Sequence, residues 1–278
     1  MPALPPKLPH DALRHGEAEM PAGLGTPPAE LGKRLQRTGF IWFFADLAHL
    51  PPGLCPAMPE EKEQAQMLPA GLLRDGWLAR RQLARQVVAE ARGVKPADVL
   101  VAKDVRGRPV LERAGLGFHL SFAAREALAL IGIADRPIGI DLEIEVPSLI
   151  IPFNVLREDE RAWLAAQPEA LRACGFLRIW TAKEAIVKAI GQGFRITPEQ
   201  IILPELSCED VVIRDWANSG ENMANSSEQN RWLILTREAL RVFVSRSDGE
   251  ERGETRGVSI AVAQSTARGP AAPLRQQG

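Results

Sequence analysis

Two short segments of the sequence place acidic and basic residues at spacings that suit metal-assisted chemistry. The first runs from Pro137 to Glu145 and reads P-I-G-I-D-L-E-I-E. Side chains alternate between the two faces of a strand, so Asp141, Glu143 and Glu145 would share one face. Two carboxylates held in this way can bind a hard divalent cation such as Mg²⁺ through oxygen. The same D-x-E pattern taken alone is more often the solvated face of an amphipathic strand.

The second segment runs from Ile179 to Lys188 and reads I-W-T-A-K-E-A-I-V-K. On a helix, Lys183 projects from the middle of the apolar face, and Glu184 lies at its edge, one turn from Lys188. A solvated Glu–Lys pair and a lysine that extends its ammonium to the surface would explain this pattern without any function. Lys183 fits a purely solvated face poorly, so a functional role also stays open.

Hydrophobic periodicity places the first segment on a strand and the second on a helix. Helices are predicted over residues 60–68, 72–92, 157–166 and 169–190. Strands are predicted over residues 40–44, 99–102, 117–121, 127–133 and 138–145, and near residues 201, 211, 233, 242 and 260. Gly139 lies inside the strand of the first segment, where a glycine often indicates close approach by another group.

Helices and several strands occur in both halves of the chain, which predicts an α+β protein of two subdomains. We expect an N-terminal subdomain at residues 38–145 and a C-terminal subdomain at residues 146–264. The Pro-rich residues 1–37 show no sustained periodicity and are predicted to be a disordered leader. Residues 265–278 are predicted to be a mobile tail.

The composition excludes several classes of protein. A formal net charge of −1 over 278 residues argues against broad electrostatic binding to nucleic acid. No run of eighteen apolar residues is present, and the N-terminal segment lacks the apolar centre of a secretory signal, so no membrane association is expected. Three scattered cysteines suit neither a disulfide framework nor a zinc site. We therefore expect a cytoplasmic protein with reduced thiols.

Taken together, the two segments resemble the paired signature of the 4′-phosphopantetheinyl transferases, in which G-I-D-L-E precedes W-T-A-K-E-A-I-V-K. Weaker matches are F-I-W-F-F-A-D-L at residues 40–47, G-R-P at residues 107–109, F-H-L-S at residues 118–121 and the segment 257–263. The similarity thus extends over residues 40–263. It is greatest to the two-domain, surfactin-synthetase-activating (Sfp-like) branch, which serves nonribosomal peptide and polyketide synthases.

The resemblance implies a fold of two similar α/β subdomains in a pseudo-twofold arrangement, acting as a monomer. It also implies transfer of the phosphopantetheine arm of coenzyme A to a serine of an apo acyl or peptidyl carrier protein, with release of adenosine 3′,5′-bisphosphate. In this family Asp141, Glu143 and Glu184 would coordinate Mg²⁺. Glu184 would also accept the serine proton, and Lys188 would stabilise the transferred phosphate.

The coenzyme A phosphates would be bound by residues that match family positions. These are Arg81, Arg108 and Ser121, with Lys188 beside them, and Lys183 would contact the phosphates or orient Glu184.

This chain departs from the family at Phe122, where a histidine that contacts coenzyme A is usual, and at Gly76, where an arginine is frequent. Both changes would affect the binding of coenzyme A. Two other functions therefore remain open, a Mg²⁺-dependent pyrophosphate hydrolase and a non-catalytic relative that only binds a carrier protein.

Overall fold

The computed structural model describes residues 26–144, 149–191, 197–203, 206, 211–217, 231–244 and 254–265. Its helices are α1 (Pro28–Thr38), α2 (Pro59–Gln66), α3 (Leu72–Arg92), α4 (Glu158–Ala166) and α5 (Glu169–Ile190). Its strands are β1 (Phe40–Asp46), β2 (Val99–Lys103), β3 (Pro109–Arg113), β4 (His119–Arg125), β5 (Leu128–Ala134), β6 (Ile138–Ile144), β7 (Val211–Ala217), β8 (Arg231–Val244) and β9 (Glu254–Ser265). The predicted mixed α/β class is confirmed. None of the helices within these ranges is both long and apolar enough to span a bilayer.

The first sheet has the strand order β1-β5-β4-β3-β2, and all its neighbouring strands are antiparallel. Its central strand β5 reads L-A-L-I-G-I-A, an apolar run that can be buried on both faces. Ile131 and Ile133 pack with Val87 and other residues of α3 on one face. Leu130 packs with Ile140 of β6 on the other face. Hydrophobic burial on both sides therefore holds β6 against the first sheet.

The second sheet has the order β6-β9-β8-β7, with β6 at its edge. Helix α5 packs on this sheet through small side chains, among them Ala185 and Ala189, which lie in one cluster with Ala261 of β9. A Cβ built at Gly139 of β6 would lie 1.9 Å from the carbonyl oxygen of Ala185. The close approach that Gly139 indicated in the sequence is thus confirmed, because only glycine lets the backbones of α5 and β6 touch.

The structure corrects the predicted leader. Pro28–Thr38 forms helix α1, so the prediction of disorder is wrong for residues 28–37. Leu31 and Leu35 are buried in the core with α3, and Gly39 ends the helix in a left-handed conformation. Residues 1–25 and the predicted tail from residue 266 lie outside the described residues.

The predicted division between the subdomains also needs correction. Strand β6 was assigned to the N-terminal half, but it pairs with β9 of the second sheet, with Asp141 opposite Ala261 and Glu143 opposite Ser259. By sheet membership, the division falls in the turn at residues 135–137. Strand β3 was not predicted, because its sequence P-V-L-E-R alternates over too few residues to give a clear period.

Candidate active site

Asp141 lies on β6 where α5 crosses the strand, and its carboxylate is buried. Its Oδ1 accepts a hydrogen bond from Lys188 Nζ at 2.7 Å, and the same ammonium donates to the carbonyl oxygen of Ile140 at 3.1 Å. Asp141 Oδ2 is buried and has no hydrogen-bond partner among the described residues. Burial raises the pKa of Asp141, and the charge of Lys188 opposes that rise. One oxygen of this carboxylate is therefore open to a further ligand.

Glu143 lies two residues further along β6 and is held by an arginine. Arg125, the last residue of β4, donates from Nε to Glu143 Oε2 at 2.7 Å and from Nη2 to Glu143 Oε1 at 2.5 Å. The guanidinium therefore occupies both oxygens of the carboxylate in a bidentate pair. This pair is half exposed on the arginine side and mostly covered on the glutamate side.

Glu184 of α5 completes the acidic cluster. It is partly buried, and burial is the largest cause that raises its pKa. The charges of Asp141 and Glu143 raise the pKa further, while those of Lys188 and Arg125 lower it. All three carboxylates that the sequence proposed as metal ligands thus lie within electrostatic range of one another, together with two cations.

The donor set of this cluster suits Mg²⁺, which prefers carboxylate oxygens. Within the described ranges, however, no group of three or more His, Cys, Asp or Glu side chains is arranged to hold a metal ion. In this arrangement Arg125 binds both oxygens of Glu143, and Lys188 binds one oxygen of Asp141. Of these two carboxylates, the buried Oδ2 of Asp141 is the oxygen that has no hydrogen-bond partner among the described residues.

Lys183 does not belong to this cluster, and the predicted role for it is corrected. Its Nζ donates to Glu160 Oε2 of α4 at 2.6 Å, and both side chains are only 1% exposed. Glu160 Oε2 also accepts from the backbone N–H of Arg157 at the start of α4. The side chain of Lys183 therefore ties α5 to α4 and has no access to a phosphate.

Beside the acidic cluster lies a cavity of about 750 Å³, formed by α3, the β2–β3 hairpin, β4 and the end of α5. Four of the five residues predicted to bind coenzyme A line it, namely Arg81, Arg108, Ser121 and Lys188. Its wall also carries Arg80, Lys103 and Arg106. No aspartate or glutamate is present in the described lining, so the cavity suits a polyanion.

Two aromatic rings hold the arginines of α3 at the wall. The guanidinium of Arg81 lies 3.4 Å from the ring centre of Trp77 and 5.6 Å from that of Phe122, and Arg80 lies 5.8 Å from Phe122. Burial, together with the neighbouring charge of Arg80, lowers the pKa of Arg81 to about 9. An anion in the cavity would relieve this repulsion. Phe122 stands where the resemblance leads us to expect a histidine donor, and its ring lies near the guanidinium groups of two arginines.

The other departure from the family, Gly76, lies against the side chain of Leu47. A Cβ built at Gly76 of α3 would lie 2.8 Å from Cδ1 of Leu47, which follows β1. This atom is a terminal methyl group, so a larger side chain at position 76 would require a shift of the Leu47 side chain.

The remaining predicted cavity residues are anchored by the protein itself. Arg108 Nε pairs with Asp104 Oδ2 at 2.6 Å across the β2–β3 turn. In the same turn, Arg106 Nη1 donates to the carbonyl oxygen of Gly191 at 2.9 Å, which joins the hairpin to the end of α5. Ser121 Oγ accepts a hydrogen bond from the N–H of Ile140 at 3.1 Å, so this hydroxyl links β4 to β6.

Comparison of the sequence with known proteins identifies the family of this chain. The sequence profile of the 4′-phosphopantetheinyl transferase superfamily matches residues 137–242, which begin just before β6 and include all of α5. A phosphopantetheinyl transferase from Thraustochytrium sp. is 33% identical over 204 residues, which make up 64% of this chain and 69% of that protein. The chain belongs to the 4′-phosphopantetheinyl transferase superfamily.

Other members of the superfamily match over a shorter length. The 4′-phosphopantetheinyl transferase HetI of Nostoc sp. is 35% identical over 129 residues, covering 43% of this chain and 53% of that protein. The 4′-phosphopantetheinyl transferase gsp of Aneurinibacillus migulanus is 26% identical over 115 residues, covering 41% of this chain and 47% of that protein. The chain thus spans about half the length of these two relatives.

Residues outside the superfamily signature also shape the site, and the sequence analysis missed them. Arg125 holds a carboxylate of the cluster, while Arg80, Lys103 and Arg106 add charge to the cavity wall. Trp77 supports Arg81. Only the R-R pair at residues 80 and 81, within the helical pattern of α3, gave a signal in the sequence. The other residues come from separate segments that only the fold brings together.

Proposed function

We propose that this chain transfers the 4′-phosphopantetheine arm of coenzyme A to a serine hydroxyl of an apo acyl or peptidyl carrier protein. One observation carries the proposal, which is that the carboxylate cluster adjoins a cavity with a cationic wall, and Lys188 belongs to both. A metal-binding acidic cluster next to a polyanion site suits a substrate that contains a pyrophosphate.

The reaction would form a bond between the serine oxygen and the phosphorus that bears the pantetheine arm. The bond from that phosphorus to the bridging oxygen would break, and adenosine 3′,5′-bisphosphate would leave. Glu184 would accept the serine proton as the general base. Lys188 would stabilise the negative charge that develops on the transferred phosphoryl group.

Asp141, Glu143 and Glu184 would hold Mg²⁺. When bound, this ion neutralises charge on the pyrophosphate and on the leaving oxygen. The unpartnered Oδ2 of Asp141 supports the assignment, since a buried carboxylate oxygen is costly without a ligand.

The coenzyme A phosphates would lie against Arg81, Arg108 and Lys188, which line the cavity. Ser121 would act mainly through its hydrogen bond to β6, since its hydroxyl already accepts the N–H of Ile140. Trp77 and Phe122 would keep the arginines of α3 in place through their ring faces.

The predicted architecture and setting are part of the same proposal. Each sheet carries one long helix, α3 on the first and α5 on the second, which supports two similar subdomains in a pseudo-twofold arrangement. The cationic cavity and the acidic cluster lie in one chain, so we expect a monomer. We also expect the protein to be cytoplasmic and to bind neither nucleic acid nor membrane.

The test is intact-protein mass spectrometry of an apo carrier protein incubated with this chain, coenzyme A and Mg²⁺. We expect the carrier to gain the mass of one phosphopantetheine arm, and EDTA should abolish that gain. A Glu184→Ala variant should lose the transfer and stay folded. Glu169→Ala, an exposed glutamate at the start of the same helix, is the matched control and should keep it.

The same assay separates the two other functions. A pyrophosphate hydrolase would release adenosine 3′,5′-bisphosphate from coenzyme A without a carrier. A binding-only relative would retain the carrier protein but show no Mg²⁺-dependent affinity for coenzyme A. Either result, with no mass gain across several carriers, would refute the proposed transferase activity.

A further inference from the structure

Arg125 is the one cation in the described part of the acidic cluster that binds both oxygens of a proposed metal ligand. It lies at the end of β4, and its Nη1 also donates to the carbonyl oxygen of Ala124 at 3.1 Å. This second bond fixes the plane of the guanidinium, so the Arg125–Glu143 pair has a defined geometry. The inference below rests on the metal assignment made under the proposed function.

The charge of Arg125 affects all three carboxylates of the cluster. Three carboxylates face two cations, Arg125 and Lys188, and the charge of Arg125 reaches Asp141 and Glu184 as well as its direct partner. Lys188 leaves Oδ2 of Asp141 without a partner, whereas Arg125 leaves neither oxygen of Glu143 without one. A divalent cation that binds Glu143 must therefore share its oxygens with Arg125 or displace it, and in either case it meets the positive charge of the guanidinium.

We infer that Arg125 is a positioning residue that occupies Glu143 in place of the metal and so sets the affinity of the site. In the metal-free protein it offsets the repulsion among the three carboxylates. On metal binding its guanidinium swings into solvent, which it can reach because the side chain is 48% exposed.

A direct measurement of metal binding tests this role without relying on catalysis. Mn²⁺ is titrated into the full chain, with neither coenzyme A nor carrier protein present, and free Mn²⁺ is followed by its electron paramagnetic resonance signal. Removing the competing cation in Arg125→Gln should tighten Mn²⁺ binding about two- to fivefold, the range set by a partly exposed ion pair. Arg125→Lys keeps the charge but loses the bidentate fork, so its affinity should lie between the two.

Two further variants serve as controls. Arg136→Gln removes an arginine that pairs with Asp135 at 3.0 Å in the turn before β6, and it should bind Mn²⁺ like the wild type. Glu143→Gln removes a proposed ligand and should weaken binding. The melting temperature of each variant reports whether a change in affinity reflects partial unfolding.

The outcomes separate this inference from the proposed function. Unchanged or weaker binding in Arg125→Gln, with weaker binding in Glu143→Gln, would overturn the role of Arg125 and leave the metal site intact. No difference between Glu143→Gln and the wild type, or no bound Mn²⁺ at all, would overturn the metal assignment and with it the competition. Tighter binding in Arg125→Gln alone supports the inference.

Discussion

Two lysines of helix α5, one turn and a half apart, end in opposite surroundings. Lys183 and its partner Glu160 are each 1% exposed, so this pair is closed to solvent and ligand. Lys188 is 32% exposed, contacts Asp141 and lines the cationic cavity. Both carboxylate partners keep one buried oxygen without a hydrogen bond among the described residues. Both lysines are paired, and both partners have an unpartnered oxygen. The two sites therefore differ in solvent access, which only Lys188 has.

The contrast has a simple origin in the packing of α5. Lys183 faces α4, where its ammonium contacts Glu160, and Leu164 of α4 packs in one buried cluster with Phe176 of α5. The face that carries Lys188 turns toward β6 and the cavity. The same residue type on one helix thus supports the fold at one position and chemistry at the other.

Breaking the closed pair should have the largest effect. Glu160→Ala leaves the ammonium of Lys183 buried without its partner, which should lower the free energy of unfolding by about 3–5 kcal/mol. Urea denaturation followed by circular dichroism measures this loss. Transfer activity per folded molecule should stay near the wild-type level, because Lys183 has no access to the cavity.

The double variant Glu160→Leu with Lys183→Met is the control, since apolar residues of similar volume can replace a buried pair at little cost. It should recover most of the stability that Glu160→Ala loses. If the double variant is folded and inactive, Lys183 contributes to catalysis after all.

Removing the charge of the accessible lysine should give the opposite result. Lys188→Gln keeps a hydrogen-bond donor near Asp141 but loses the charge at the transferred phosphate, so the rate of transfer should fall roughly a hundredfold to a thousandfold. Its free energy of unfolding should fall by less than that of Glu160→Ala, because Lys188 is partly exposed and the glutamine can still donate a hydrogen bond to the buried Asp141. Carrier modification timed by mass spectrometry measures the rate.

Lys62→Gln, an exposed lysine on α2, is the matched control and should leave both quantities unchanged. If Lys188→Gln keeps full activity and loses stability, Lys188 has a structural role like that of Lys183, and its proposed catalytic role is wrong.

The smallest expected effect is a pH-dependent change in stability at His119, a residue that lines the cavity. Although His119 is exposed at the start of β4, partial desolvation at the cavity wall and the nearby charge of Arg108 lower its pKa below the ordinary 6.5, and Asp135 opposes this. As the pH falls through 6.5, the unfolded chain therefore binds a proton more readily than the folded protein. The wild type should lose stability in this range, and His119→Asn should lose less. Melting temperatures between about pH 5 and 8 test this, and parallel curves for the two proteins would contradict it.

The sequence predicted those parts of the fold that local patterns determine. Helices α3 and α5 were predicted at their observed limits, because apolar periodicity ends in each case at a glycine that adopts a left-handed conformation. Helix α1 was missed because the prolines and glycines of the first residues concealed its short apolar stripe. Strand β6 was predicted in the right place but assigned to the wrong half, since pairing with a distant strand leaves no local signal.

The site divides in the same way. Asp141, Glu143 and Glu184 were proposed from two short segments and do lie in one cluster. Lys183 was misjudged because its partner Glu160 belongs to another helix, and nothing within α5 distinguishes a buried lysine from an accessible one. Arg125 was missed for the same reason, as only the packing of β4 against β6 makes it a neighbour of Glu143.

The pairing of β6 with β9 also has a consequence for the order of events during synthesis. All strands of the first sheet have been synthesised once Ala134 is made, and most of the cavity wall with them. Strand β6 follows directly, but its ladder partner β9 begins only at Glu254. Because synthesis starts at the N-terminus, the strand that carries Asp141 and Glu143 is made well before the strand with which it pairs. The acidic cluster is therefore completed last, and a chain whose translation stops early has a wall of arginines but no anchored carboxylates with which to use it.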